Sequence, residues 1–132
     1  MRTLIATTLF LFPILSLVAT HLQAQETDAQ KFPDVVDVSV TDAGDGRYHF
    51  DVTLSSPYDT PERYADAFRV LTLAGDLLGV RKLFHDHANE QPFTRRLRDI
   101  EVPEGVPRVV IEGRDKQNGY GGDVVEASLP GR

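Results

Sequence analysis

The sequence predicts an all-β protein, a single seven-stranded antiparallel sandwich. Three observations carry that reading. Apolar residues alternate with polar ones over short runs, as in Tyr48-x-Phe50-x-Val52-x-Leu54, the mark of strands with one buried face. Glycine, proline and aspartate punctuate these runs at short intervals, where turns are needed. Seven such runs fit within about 100 residues, the strand count and length of a small two-sheet domain.

The first segment is not part of that domain. Residues 1–24 (MRTLIATTLFLFPILSLVATHLQA) open on Arg2, run apolar from Leu4 to Val18, and end on the small residue Ala24. This is the three-part form of a secretory signal peptide. As a membrane span the run is too short, since a spanning helix needs about 20 apolar residues, and Pro13 interrupts it. Removal after Ala24 takes away one basic residue and no acidic one, so the remaining chain is more acidic still. Residues 25–33 are read as a flexible leader, because Gln25 to Lys31 is polar and aperiodic. The sandwich domain is assigned to 34–130.

Within it, Val36, Val38 and Val40 alternate with Asp37 and Ser39 as a first strand. The glycine-bearing turn Asp42–Gly46 follows, then a second strand through Tyr48, Phe50, Val52 and Leu54. A loop with two prolines spans 56–62. Residues 62–71 also fit a helix, with Tyr64, Ala67, Phe68 and Leu71 on one face. The β-branched Val70 and Thr72, and the nearby Gly75, favour a third strand over 68–73, while Tyr64 to Ala67 could form a helical turn. A turn at 74–76 leads to a fourth strand over 77–84. After a loop at 86–91, Phe93 and Leu97 mark a fifth strand. The turn 102–107 leads to a sixth strand over 108–114, the glycine-rich stretch 116–122 to a seventh through Val125, Ala127 and Leu129. The core is expected around Val38, Phe50, Val52, Phe68, Val70, Leu97, Val109 and Ile111.

The order of features in the second half (the turn Val102-Pro103-Glu104-Gly105-Val106, a strand, a glycine-rich loop, a last strand) resembles that of fibronectin type III and immunoglobulin-like domains. The resemblance spans about residues 34–130. It implies that architecture; the tryptophan often found in such cores is missing. The runs YADAFRVL, LFHDH and EQPFTR resemble those of small uncharacterised exported bacterial proteins, a resemblance that implies no function.

Composition excludes several chemistries. With no cysteine, the chain cannot form a disulfide framework, a zinc–thiolate site, an iron–sulfur cluster or a cysteine nucleophile, nor an acylated cysteine anchor. With 20 acidic against 14 basic residues and net charge −6, non-specific nucleic-acid binding is not expected. No Gly-x-Ser-x-Gly elbow occurs, and Asp86 and Glu90 would cleave a glycoside only across a defined cleft. The chain is therefore expected to be non-enzymatic, without a required cofactor.

Antiparallel connectivity sorts the loops into two ends. Turns 42–46, 74–76 and 102–107 share the first end. Their short Gly/Pro/Asp sequences are explained as turns, and Asp42 and Asp45 lack the spacing of a calcium loop. Loops 56–62, 85–91 and 116–122 share the second end, which gathers Tyr58, Asp59, His85, Asp86, His87, Glu90 and Tyr120, with Tyr64 and Asp66 at the base of the third strand. Sandwich domains commonly bind through loops at one end, so Tyr58, Tyr64, Asp66 and Tyr120 are the candidate binding residues. Tyr58 and Tyr120 either project from mobile loops or fold down to plug the end. His85 and His87, two residues apart at a strand end, present both rings to one side. With Glu90 they are the candidate ligands for Zn(II) or Cu(II); the plainer alternative is ordinary loop chemistry. Arg95, Arg96 and Arg98 are read as a solvated face, with one arginine pairing an acid such as Asp66. The resulting expectation is a secreted protein, in the bacterial periplasm, acting as a binding or accessory module. Its partner is an envelope protein or small ligand, with no nucleic acid and no membrane anchor in the mature chain; the alternative is a periplasmic Zn/Cu(II)-binding protein using the histidine pair.

Overall fold

A computed structural model describes residues 29–132; the signal-peptide assignment, 1–24, and the first part of the leader lie outside the described residues. Seven antiparallel strands, and no helix among the described residues, form two sheets: β1 (Asp34–Gly44), β2 (Arg47–Ser55), β3 (Ala65–Thr72), β4 (Leu77–Lys82), β5 (Phe93–Glu101), β6 (Arg108–Asp115) and β7 (Gly119–Ser128). The three-stranded sheet has the order β1-β2-β5, the four-stranded sheet β4-β3-β6-β7. Constant-type immunoglobulin domains place the fourth strand beside the first sheet; here β4 pairs with β3 instead.

The core follows from the alternation. Tyr48, Phe50, Val52 and Leu54 all point inward from β2 and are buried, facing Phe68, Val70, Val109 and Ile111 from the opposite sheet. Phe50, Phe68 and Ile111 are fully enclosed. Val38 packs at the margin of this cluster. One expected inward residue is not inward. A bulge between Val35 and Asp37 buries Val35 and turns Val36 out to 49% exposure, restoring the alternation at Val38.

Several boundaries differ from the sequence reading. β4 ends at Lys82 and not at Phe84, so His85 and His87 lie in the following loop and not at a strand end. Tyr64 to Ala67 form no helical turn: β3 begins at Ala65, with a bulge between Ala65 and Ala67 opposite Asp115 and Arg114. Gly119 to Gly122 are not loop but the start of β7. Their glycines make room rather than flexibility. A Cβ at Gly121 would come within 2.7 Å of the Phe32 ring, and one at Gly122 within 2.3 Å of the Pro33 carbonyl oxygen.

That slot also corrects the end of the flexible leader. Pro33 is fully buried. Arg63 donates to the carbonyls of Gln30 and Lys31 at 3.1 and 2.9 Å, Asn118 donates to Lys31 O at 3.2 Å, and Gln30 donates to Ser55 O at 3.0 Å. Polar residues look like a leader in sequence, but here their backbone carbonyls are the acceptors for the second end.

Candidate functional site

The loops gather at two ends as connectivity requires, and the second end is bonded together by buried polar groups. Asp59, buried, accepts from Ala65 N at 3.1 Å and from His87 N at 3.0 Å, tying loop 56–62 to β3 and to loop 85–91. Gln91 accepts from Ser56 N at 2.7 Å and donates to Ser56 Oγ and His87 O. Asp115 is fully buried. Its carboxylate accepts from Gln117 N, Asn118 N and Asn118 Nδ2, and pairs with Arg63 at 3.2 Å. Burial alone would raise its pKa, but the Asn118 amide, the Tyr58 hydroxyl, the Gln117 amide and Arg63 together hold it below the ordinary value.

Of the four candidate binding residues, Tyr58 stands apart. Its ring lies under Arg63, 4.1 Å from the guanidinium, and its buried hydroxyl sits beside Asp115; burial and that negative charge push its pKa well above the usual tyrosine range. Tyr58 is half-buried, with its hydroxyl turned into the end of the sandwich. The other three, Tyr64, Asp66 and Tyr120, line one groove of about 430 Å³.

Register builds that groove. Lys82, Ala67, Arg114 and Tyr120 are successive cross-strand partners on β4, β3, β6 and β7, so they form one row on one face. Phe68, next to Ala67, points into the core; the row therefore crosses the outer face of the four-stranded sheet. Ala67, 5% exposed, is its floor. Val80, Leu83 and Phe84 complete the lining, with Phe84 at 81% exposure. Central charges are matched. Arg114 donates to Asp66, so the acid expected to pair with β5 arginines is taken by β6. Arg69 donates twice to Glu112, at 2.9 and 2.6 Å, and covers the Tyr120 ring at 3.7 Å. Lys116 approaches the Tyr64 ring at 4.9 Å. Tyr120 is thus a strand residue clamped under a guanidinium, neither a mobile display nor a plug. Sequence reasoning missed Ala67, Val80, Lys82, Phe84 and Arg114, whose shared face depends on the β3 bulge. A larger hollow of about 680 Å³ lies at the first end. There Asp42 caps the Gly44 amide, and the Arg132 guanidinium is spent on the carbonyls of Val102, Pro103 and Val106.

The histidines sit on the neighbouring loop. Their ring centres are 4.7 Å apart. His85 is exposed and its Nδ1 lies 2.9 Å from Asp86 O. His87 is buried, stacked on Phe93 at 3.9 Å, and neither ring nitrogen has a partner. Burial, and then the charge of Arg95 and the neighbouring His85, push its pKa below the ordinary imidazole value. Glu90 is not brought to them: it pairs with Arg95 at 2.9 Å, which lowers its pKa. Among the described residues, no group of three His, Asp or Glu side chains stands where it could hold one metal ion. Arg96 pairs with Asp51 at 2.6 Å across the three-stranded sheet, as befits a solvated face.

No family model matches the chain. A protein of Halomicrobium mukohataei named "Putative lipoprotein" is 44% identical over 107 residues, covering 81% of this chain and 52% of its own length. The chain therefore spans about half the length of the curated relative it matches. Among solved structures, a superoxide reductase of Giardia intestinalis is similar at a TM-score of 0.44 and 13% identity, over 73% of this chain and 99% of that chain.

Proposed function

We propose that this chain is a small exported, non-enzymatic binding or accessory module that takes its ligand in the groove between Tyr64, Phe84 and Tyr120. The observation that carries the reading is the groove itself: three aromatic rings and a small floor on an otherwise solvated sheet face, with Arg114 held ready by Asp66. Aromatic and arginine side chains are those enriched where proteins bind one another. The pairing of β4 with β3 supports a fibronectin III-like reading of the sandwich. Export is supported by the signal pattern of residues 1–24 and by a relative whose name contains "lipoprotein"; an envelope compartment such as the bacterial periplasm is the destination we favour.

Binding is tested by capture from envelope extract of the source cells. Wild type and a first-end control, Glu104→Ala, should retain the same specific species, while Tyr120→Ala and Tyr64→Ala should lose it. Equal retention by all four proteins would remove the groove from consideration.

A further inference from the structure

We propose that His85 and His87 form a binding site for a divalent transition metal, Cu(II) in preference to Zn(II). The first observation is the state of His87. Its side chain is nineteen-twentieths buried, at 5% exposure, yet neither ring nitrogen meets a protein donor or acceptor. Buried polar atoms in folded proteins are nearly always paired, so an imidazole with two free nitrogens is a position awaiting a partner. The second observation is where His85 stands. Its ring centre is 4.7 Å away. Two imidazoles sharing one ion through bonds of about 2.0–2.1 Å leave their ring centres at a comparable separation.

The third observation is how the rings are oriented. Nδ1–H of His85 donates to the Asp86 carbonyl at 2.9 Å, which leaves Nε2 with its lone pair free. A backbone carbonyl holding the other nitrogen is the usual support of a metal-bound histidine. On the other side, Phe93 stacks flat on His87, and Asp59 and Gln91 fix the His87 backbone from both directions, so one ligand is set rigidly in the fold. His85 is exposed, so an ion reaches the pair from its side. Nearby carboxylates are engaged elsewhere, Glu90 by Arg95, Asp59 by two backbone amides and Asp86 by the Ala88 amide at 3.3 Å. The remaining positions would be left to water. A site of two imidazoles and water ranks the ions in the Irving–Williams order, with copper above zinc.

CuCl₂ and, separately, ZnCl₂ are titrated into the protein at pH 7.5 and followed by calorimetry and thermal melting. Copper should bind one to one and raise the melting temperature, since a ligand bound only to the native state stabilises it; its electron spin resonance should report two coordinated nitrogens. His85→Ala, at an exposed position, should weaken copper binding by roughly 100-fold or more, the loss expected when one arm of a two-point attachment is removed. His87→Phe, which preserves packing against Phe93, should do the same, and His49→Ala on β2 should leave binding intact. An unchanged melting temperature with both ions, or copper binding that survives His85→Ala, overturns the assignment. Groove variants such as Tyr120→Ala should bind copper as wild type does, so this site stands or falls separately from the groove.

Discussion

At the scale of single residues, the second end depends on two buried carboxylates. Asp115 satisfies three amide donors and the Arg63 charge. Asp115→Ala would strand three amide donors and take the counter-charge from Arg63, which keeps its two carbonyl acceptors; with buried donors unpaired at about 1–3 kcal/mol each, urea unfolding should show a loss of about 3 kcal/mol or more. Asp59→Ala, which strands two neutral backbone amides, should cost less, about 1–3 kcal/mol. The lowered pKa of Asp115 also fixes a pH response. In the unfolded chain an aspartate titrates near about 3.9. The stability contributed by Asp115 is complete above that value and is lost as pH falls through the lower folded value. Unfolding free energy should therefore decline on acidification below about pH 4, and Asp115→Asn, although less stable at pH 7, should decline less. A profile as steep in the variant as in wild type would show that Asp115 is not the group responsible.

At the scale of elements, the strands were legible from their alternation and the bulges between them were not. β2 carries four inward residues in strict period two; the register shift between Tyr48 and Phe50 falls on its partner β5, which has the extra residue there. Phe50→Ala should cost about 3–5 kcal/mol, a transfer term plus a cavity, read as a fall in melting temperature. β1 hides its bulge, because Val35, Val36, Val38 and Val40 are chemically equivalent and only the partner strand decides which valine turns out. The glycines of 119–122 were legible as special but not as to why. A glycine-rich run signals a loop equally well when the glycines serve close approach, and the approaching residues, Phe32 and Pro33, lie almost ninety positions away. Gly121→Ala should destabilise the fold by about 1–3 kcal/mol through overpacking. Because the obstacle is the Phe32 ring, the double variant with Phe32→Ala should cost less than the two single changes added together. Strict additivity would mean that ring and glycine do not meet.

At the scale of the whole molecule, antiparallel connectivity alone sorted the loops into two ends, and the bonds between loops 56–62 and 85–91 run where it requires. The groove was only partly legible. Tyr64, Asp66 and Tyr120 could be singled out by type, but their meeting with Phe84 and Lys82 needs the strand order β4-β3-β6-β7 and a register that alternation does not determine. The histidine pair was legible as spacing, and the burial that separates its two members was not: His87 lies under the sheet end on Phe93 while His85 faces solvent. The segment before β1 was misjudged because its contribution is made by backbone carbonyls and by one proline. A chain beginning at Asp34 should accordingly melt below one beginning at Ala29, and equal melting would show that residues 29–33 contribute nothing.

The seating of Phe32 and Pro33 has a mechanical consequence. β1 enters at the second end and β7 leaves at the first, so a tether on each side pulls the domain lengthwise, along its strands. Loaded this way, hydrogen bonds and packed side chains must yield together and not one at a time. The plug of Phe32 and Pro33 against Gly113, Gly121 and Gly122 lies first in the line of force. In single-molecule stretching between residues 29 and 132, Phe32→Ala should rupture at lower force than wild type, while Leu73→Ala, exposed on the turn after β3, should not. The same residues that look like a leader in the sequence would then act as the latch that yields first when the sandwich is stretched.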